Sequence, residues 1–365
     1  MQSLGVYLHI PFCDGKCNYC DFYSFKPKDN ELDSYTDIMI KQVKAWSQKI
    51  NNRVVDSVYF GGGTPSLLGT ERLIRILSTI LNSFKIAADC EITLEANPSS
   101  GSNLNFIELK NSGFNRVSLG MQSVIDKELK LLGRRHSKED VINTIKKIKD
   151  SGIDNISLDV MLGIPEQTID SLTKTLDFCI SQNIKHISTY MLSIEPDTVF
   201  GRNRERYTFA DDDLQAELYL KTTEHLKDNG FEHYEISNFC ISNHRSRHNM
   251  RYWQLKEYLG LGPSAHSLIN NKRFYYPESI DAFEINQIIA DGEGRTAEEY
   301  IMLMLRTCDG INVSEYNDMF GEIPLKTFTK AKFYKNLGYI EISDNSIKLT
   351  EKGFLLSNTI IADLI

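Results

Sequence analysis

From its amino terminus to about residue 195 the chain alternates short runs of β-branched and aromatic residues with longer amphipathic stretches. That rhythm is the pattern of βα units building a parallel sheet. It predicts strands over residues 6–10, 57–60, 90–94, 116–119, 155–161 and 186–192, with helices between them such as 32–50 and 71–84. Ser112-Gly113, Ser151-Gly152 and Gln182-Asn183 fall where a helix must stop before the next strand. Six such units make a partial or full barrel, or a doubly wound sheet.

The positions of polar and glycine residues favour the barrel. In parallel α/β folds the active site lies at the carboxyl ends of the strands, and the unusual residues collect there. Three cysteines follow the first strand, Gly61-Gly62-Gly63-Thr64-Pro65 the second, and Glu95-Ala96-Asn97-Pro98 the third. Gln122 follows the fourth, Asp159 lies in the fifth near Gly163-Ile164-Pro165, and Tyr190 is late in the sixth. All of them are expected to face one mouth.

After residue 195 the pattern turns to longer helices and loops: a helix over 211–229, a loop-rich stretch over 237–246, then Gly260-Leu261-Gly262-Pro263-Ser264. Near the end, helical segments over 297–306, 313–320 and 325–337 precede strand-like runs over 339–342 and 346–349, the order of a winged-helix-like module. Its few lysines (Lys326, Lys330, Lys332, Lys335) suit packing or docking better than DNA binding. The expected fold is α/β: a partial parallel (β/α)6 barrel over residues 1–195, a connecting region over 196–290, and a mainly helical, winged-helix-like domain over 291–365.

Composition changes this picture little. With 365 residues, 41% of them hydrophobic and 25% charged, the chain is an ordinary globular one. A formal charge of −8 argues against a broad nucleic-acid surface, and Arg202, Arg204 and Arg206 read as a solvated loop. No basic leader runs into an apolar stretch and no run is long enough to span a bilayer, so a cytoplasmic location is expected. Of seven cysteines, Cys90, Cys179, Cys240 and Cys308 are scattered and read as buried reduced thiols.

The other three, Cys13, Cys17 and Cys20, form a C-x3-C-x2-C run on one loop. Three thiolates can hold three irons of a four-iron cubane and leave the fourth iron for another ligand. Phe22, the next nearby candidate, cannot bind iron. A zinc site would want four protein donors, or three and a water, usually on separated knuckles; a disulfide with a spare thiol is the remaining alternative. The glycine turn would let backbone approach a ligand, such as an amino acid chelating the open iron, or else is a tight turn. Glu95 could accept from ribose hydroxyls or form a salt bridge at the rim. Gln122, Arg134 and Asp159 are similar cases, with Arg134, Arg135 and His136 also reading as a basic helix end.

Taken in order and spacing, the cysteine loop, the Gly-Gly-Gly-Thr-Pro turn, Leu94-Glu95-Ala96-Asn97-Pro98, Gly120-Met121-Gln122-Ser123 and Leu158-Asp159 with Gly163-Ile164-Pro165 resemble the radical S-adenosylmethionine (SAM) enzymes. More closely, they resemble the branch that holds oxygen-independent coproporphyrinogen III oxidase and the heme chaperone HemW. The resemblance spans essentially the whole chain. It implies that Cys13, Cys17 and Cys20 hold a 4Fe-4S cluster whose fourth iron is chelated by SAM, with Tyr7, Gly62, Gly63, Thr64 and Glu95 lining that SAM site. Residues matching Tyr19, Gln122, Arg134 and Asp159 hold a second SAM in the oxidase. The implied chemistry is reductive cleavage of SAM to methionine and a 5'-deoxyadenosyl radical that abstracts hydrogen.

Two departures separate the chain from the oxidase. The oxidase has a further cysteine where Phe22 stands, and it carries an N-terminal extension that contributes to its active site, whereas Tyr7 is almost the first residue here. His248-Asn249-Met250-Arg251-Tyr252-Trp253 also matches an H-N-x-x-Y-W motif associated with heme handling in the chaperone branch. His248 would offer an imidazole nitrogen to heme iron, and Tyr252 and Trp253 flat apolar surface. The resemblance therefore implies a heme chaperone rather than a coproporphyrinogen oxidase. Its expected partners are heme, an acceptor protein (a membrane respiratory protein is one candidate) and an electron donor for the cluster, with no nucleic acid.

Overall fold

The computed structural model describes residues 2–28 and 30–365. Six parallel strands, β1 (Ser3–Ile10), β2 (Val54–Gly62), β3 (Lys85–Ala96), β4 (Arg116–Gln122), β5 (Asn155–Leu162) and β6 (His186–Met191), lie side by side in chain order. Helices α1 (Glu31–Lys49), α2 (Gly69–Ser83), α3 (Phe106–Ser112), α4 (Lys138–Asp150) and α5 (Ile169–Ser181) connect them. Every strand and helix predicted for this half of the chain is present, with ends shifted by a few residues.

The alternation along the strands explains the architecture. Val6, Leu8, Ile10, Val58, Phe60, Leu94, Val117, Leu119, Leu158 and Val160 are fully buried on the face that the helices cover. Each contributes about 1.5–3 kcal/mol relative to exposure. Helix α2 meets this face with Leu73, Ile76, Leu77 and Ile80, one stripe of a 3.6-residue period. The alternate positions, facing the barrel interior, are polar: Ser57, Tyr59, Glu91, Thr93, Glu95, Arg116, Ser118, Ser157, Asp159, His186 and Ser188. They bond to one another, as Ser118 Oγ does to Asp159 (3.1 Å) and Ser157 Oγ to His186 Nδ1 (2.7 Å). Core lies between sheet and helices; chemistry lies inside the curve.

The region expected to hold helices and loops contributes six more strands to the same sheet. After α6 (Asp212–Asp228), β7 (Glu232–Glu235) and β8 (Asn238–Cys240) form a hairpin added antiparallel to β6. At the other edge β9 (Tyr258–Leu261) runs parallel to β1, followed by β10 (His266–Ile269), β11 (Lys272–Tyr275) and β12 (Ile289–Glu293). The 12-stranded order is β12-β11-β10-β9-β1-β2-β3-β4-β5-β6-β8-β7, so the barrel stays open between two edges. Between β8 and β9 a short helix, α7 (Arg247–Trp253), lies across the amino-terminal ends of the strands, against β2.

The last segment folds as helix α8 (Ala297–Met304), strand β13 (Ile311–Asn312), helices α9 (Val313–Phe320) and α10 (Leu325–Asn336), and the hairpin β14 (Ile340–Ile342) and β15 (Ser346–Leu349). β13 pairs with β15 in a three-stranded sheet, completing the winged-helix-like order. No helix among the described residues is long and apolar enough to cross a membrane.

Candidate cofactor site

A cavity of about 580 Å³ opens at the carboxyl ends of the parallel strands. It gathers the three cysteines, Tyr19, Gly62, Gly63, Thr64, Glu95, Gln122, Arg134 and Asp159, residues spread over nearly 150 positions of sequence. Tyr7 sits just below, its hydroxyl 3.2 Å from His9 Nδ1. His9 is buried and keeps its other ring nitrogen on the Tyr23 carbonyl (3.0 Å), a packed core histidine.

The cysteine loop is held rigidly from both sides. Phe12 is fully buried and packs edge-on against Phe25 and Tyr35. Cys13 N–H donates to Phe25 O and Asn18 N–H to Leu132 O. The glycine turn then crosses beneath it: Gly63 N–H donates to Ile10 O (2.8 Å) and Thr64 N–H to Phe12 O (2.7 Å), while Thr64 Oγ1 lies 3.2 Å from Cys13 Sγ. A Cβ at Gly63 would come within 2.7 Å of the Phe12 carbonyl oxygen, and one at Gly62, which adopts φ 109°, within 2.7 Å of His9 Nδ1. The bare glycines thus let the turn seat the cysteine loop on the sheet while they line the cavity.

The thiols of Cys17 and Cys20 are pushed up by burial, with Arg134 opposing this at Cys17. Among the described residues no three His, Cys, Asp or Glu side chains close in to the distance a single ion requires. A cubane, with one iron for each thiolate, spreads its ligands wider than one ion does. Three thiols on one loop, with no fourth cysteine in the cavity lining among the described residues, fit such a cluster.

Glu95 forms part of the cavity floor. Burial raises its carboxyl from 4.5 to about 7; the Tyr59 hydroxyl, donating to Oε1 at 2.7 Å, opposes the rise, and Asp159 adds to it. Asp159 is likewise raised by burial to about 6, with Ser118 holding it down. Arg134 donates to the Tyr19 hydroxyl at 2.6 Å, yet its buried Nε has no partner, and neither has Gln122 Oε1. Gln122 also holds φ at 66°, left-handed and rare for a residue with a side chain, where β4 breaks register against β5. Two residues that line the cavity thus carry buried polar atoms without partners, which suits a place where a polar ligand rearranges the side chains. Five carboxyl groups line this cavity (Asp14, Asp21, Glu95, Asp159, Glu195) against two cations (Lys16, Arg134), which fits a positively charged one such as a sulfonium.

Sequence reasoning missed the rest of the lining. Ser118, in the lining, and Tyr59, which bonds Glu95 without lining the cavity, lie at inward positions of predicted strands, and alternation could have found them. Met161, Met191 and Leu192 give the mouth an apolar side that reads as core in the sequence.

The residues expected to meet heme lie elsewhere. His248 is 1% exposed on α7, its Nδ1 3.0 Å from Ser57 Oγ and its Nε2 2.9 Å from the Tyr252 hydroxyl. Burial lowers its pKa to about 3, so the ring is neutral, but both nitrogens are engaged and neither is open to a heme iron. Tyr252 and Trp253 are half-buried, Trp253 against Tyr234, Cys240 and Met250. Glu91, Ser57 and Tyr59, remote in sequence, enclose His248 in this arrangement. Of the alternatives near it in sequence, His244 bonds the Ser242 carbonyl (2.9 Å) and His266 stands exposed, stacked on Tyr275.

Comparison with known proteins agrees with this geometry. The model of the radical SAM superfamily matches residues 7–179, and that of the HemN C-terminal domain residues 296–356. The heme chaperone HemW of Bacillus subtilis (strain 168) is 30% identical over 98% of this chain and 97% of its own. That of Synechocystis sp. is 36% identical over 78% of this chain and 70% of its own. Among solved structures, coproporphyrinogen III oxidase (HemN) from Escherichia coli superposes with a TM-score of 0.85 over 100% of this chain and 90% of that one. At 19% identity that likeness speaks for the fold. With a relative this similar along nearly its whole length, the chain belongs to the radical SAM superfamily and, within it, to the family of the heme chaperone HemW.

Proposed function

We propose that this protein is a heme chaperone, which binds heme and passes it to an acceptor protein, and that it carries a 4Fe-4S cluster and SAM. The observation that carries the reading is the 30% identity to a HemW over 97% of that protein's length. Phe22, where the oxidase branch has a further cysteine, supports the same side. Cys13, Cys17 and Cys20 hold the irons. Gly62, Gly63, Thr64 and Glu95 hold SAM, and Tyr19, Gln122, Arg134 and Asp159 offer a second polar set beside it. When bound, cluster and SAM together supply a one-electron route to a carbon radical. The protein's own contribution is to fix the cysteine loop, to aim Glu95 and Asp159 at a cationic ligand, and to keep that ligand's inner end away from water.

The apolar side of the mouth, where Phe22 stands 68% exposed near Tyr190, Met191 and Leu192, offers a porphyrin the flat surface that the buried α7 withholds. A ligand role for His248 requires α7 to leave the barrel floor. The electron donor and the acceptor belong to this proposal as classes only, and the place of action is the cytoplasm.

Hemin titration of the cluster-loaded protein tests the reading. A saturable Soret band at one heme per chain, which then moves to an apo-hemoprotein on mixing, is expected. Absence of binding, with conversion of coproporphyrinogen III to protoporphyrinogen IX in the presence of SAM and a reductant, would replace the chaperone with the oxidase.

A further inference from the structure

Helix α7 is tied to the barrel floor at several points. The Glu91 carboxylate accepts from the backbone N–H of Arg247 (3.2 Å) and of His248 (3.1 Å). The buried Arg251 guanidinium donates to Ser57 Oγ (3.2 Å), Ser3 Oγ (2.9 Å) and the Glu257 carbonyl (2.9 Å), and it pairs with Asp56. These contacts leave the His248 ring one position, its edge held by Ser57 and Tyr252 and its face against Tyr59, with ring centroids 5.1 Å apart and planes 28° apart. Tyr59 in turn donates to Glu95 at 2.7 Å.

There is no slack in this stack. Tyr7 closes its third side, 6.2 Å from the Tyr59 ring and 6.3 Å from that of His248. Directly above, Gly61 has no side chain where a Cβ would lie 3.0 Å from both tyrosine rings and 3.2 Å from the Glu95 carboxyl carbon. A shift of the imidazole therefore moves the Tyr59 ring, and a shift of that ring moves the donor on which Glu95 rests.

We infer that His248 is a positioning residue for the SAM site: it fixes the Tyr59 ring, and through the Tyr59 hydroxyl it aims the Glu95 carboxylate into the cavity. The inference rests on the reading of the cavity as a SAM site. It gives the motif around His248 a task in the closed molecule that needs no heme, and it joins the two ends of the barrel through three side chains.

The test is a SAM titration of the reconstituted, reduced protein, followed by the change SAM causes in the electron paramagnetic resonance spectrum of the cluster. It is run on the wild type, His248→Ala, Tyr59→Phe and the double variant. Each single change is expected to weaken SAM binding about tenfold, the size of one hydrogen bond to a carboxylate. Because both act through the same contact, the double variant should bind no worse than the weaker single. If the two factors multiply, to roughly a hundredfold, or if His248→Ala binds like the wild type, the inference is overturned. Should His248→Ala fail to take up a cluster, Tyr252→Phe removes only the hydroxyl at Nε2. A several-fold loss that vanishes in the Tyr59→Phe background is then expected, and unchanged affinity overturns the inference equally. A wild-type spectrum indifferent to SAM would remove the SAM reading itself, and this role with it.

Discussion

The raised carboxyl of Glu95 makes a prediction about stability with a definite sign. In the folded protein burial moves its pKa from 4.5 to about 7, so between these values the folded chain keeps a proton that the unfolded chain releases. The contribution of Glu95 to stability must therefore fall as pH rises through this window, with its full loss present above pH 7, while buried histidines such as His136 and His233, lowered to about 4, act in the opposite sense. The groups facing this carboxyl are Tyr59 and Tyr7, Asp159 from β5 and Arg116 from β4. Glu95→Gln keeps an oxygen that accepts from Tyr59 and abolishes the titration. At about 1.4 kcal/mol per pH unit, the stability difference between variant and wild type should shift in the variant's favour by roughly 2.5 kcal/mol between pH 5 and pH 8.

Urea unfolding of the cluster-free protein at the two pH values measures it. Taking the difference between pH values cancels the pH-independent effects of the substitution, provided the slope with denaturant is unchanged, and carrying Asp159→Asn in both proteins removes the coupled titration of Asp159. A difference that does not vary with pH would mean that Glu95 titrates at its ordinary value and that the cavity floor is as wet as bulk solvent. The desolvation argument would then fail for the site as a whole.

Two further outcomes are expected. Cys13→Ser, Cys17→Ser and Cys20→Ser, reconstituted anaerobically, should each fall to background iron content and visible absorbance, while Cys179→Ser, at a buried position in the core, should load like the wild type. Arg251→Ala leaves Asp56 without its partner and removes the tie between β1, β2 and α7, with an expected loss of about 3–5 kcal/mol in urea unfolding. Arg251→Lys should recover little of it, because one ammonium cannot reproduce a fork that reaches Ser3, Ser57 and the Glu257 carbonyl together.

What the sequence made legible follows from length and period. Strands β1 to β6 run for 6–12 residues, long enough for an apolar outer and a polar inner set to declare themselves. Strands β7 to β12 have 3–5 residues, too few for a period, and Gly260, Gly262 and Pro263 disguise the neighbourhood of β9 as a turn. The cavity was legible because parallel topology sends every strand end to one side. His248 was not, since its surroundings are made by Ser57, 191 residues away, and by Glu91 and Tyr59. A polar, aromatic motif looks exposed when only its own segment is in view.

The two ends of the barrel interior differ in how their polar groups are partnered, although Thr93 Oγ1 and two nitrogens of Arg116, deeper inside, also lack partners. At the floor, Glu91 is met by two backbone N–H groups, and His186 and His248 use both ring nitrogens. At the mouth, Gln122 Oε1 and Arg134 Nε lack partners, and burial holds Glu95 and Asp159 well above their ordinary range. Arg116, between the ends, faces Glu91 and Asp159 and cannot balance every carboxyl by itself. Burial raises both carboxyls, and a ligand of positive charge would lower them again. Glu95, raised to about 7, should therefore release part of its proton to solvent near neutral pH as a cation enters the mouth and binds. On this account Glu95→Gln should lose affinity for a cationic ligand for the same reason that it gains stability relative to the wild type as pH rises.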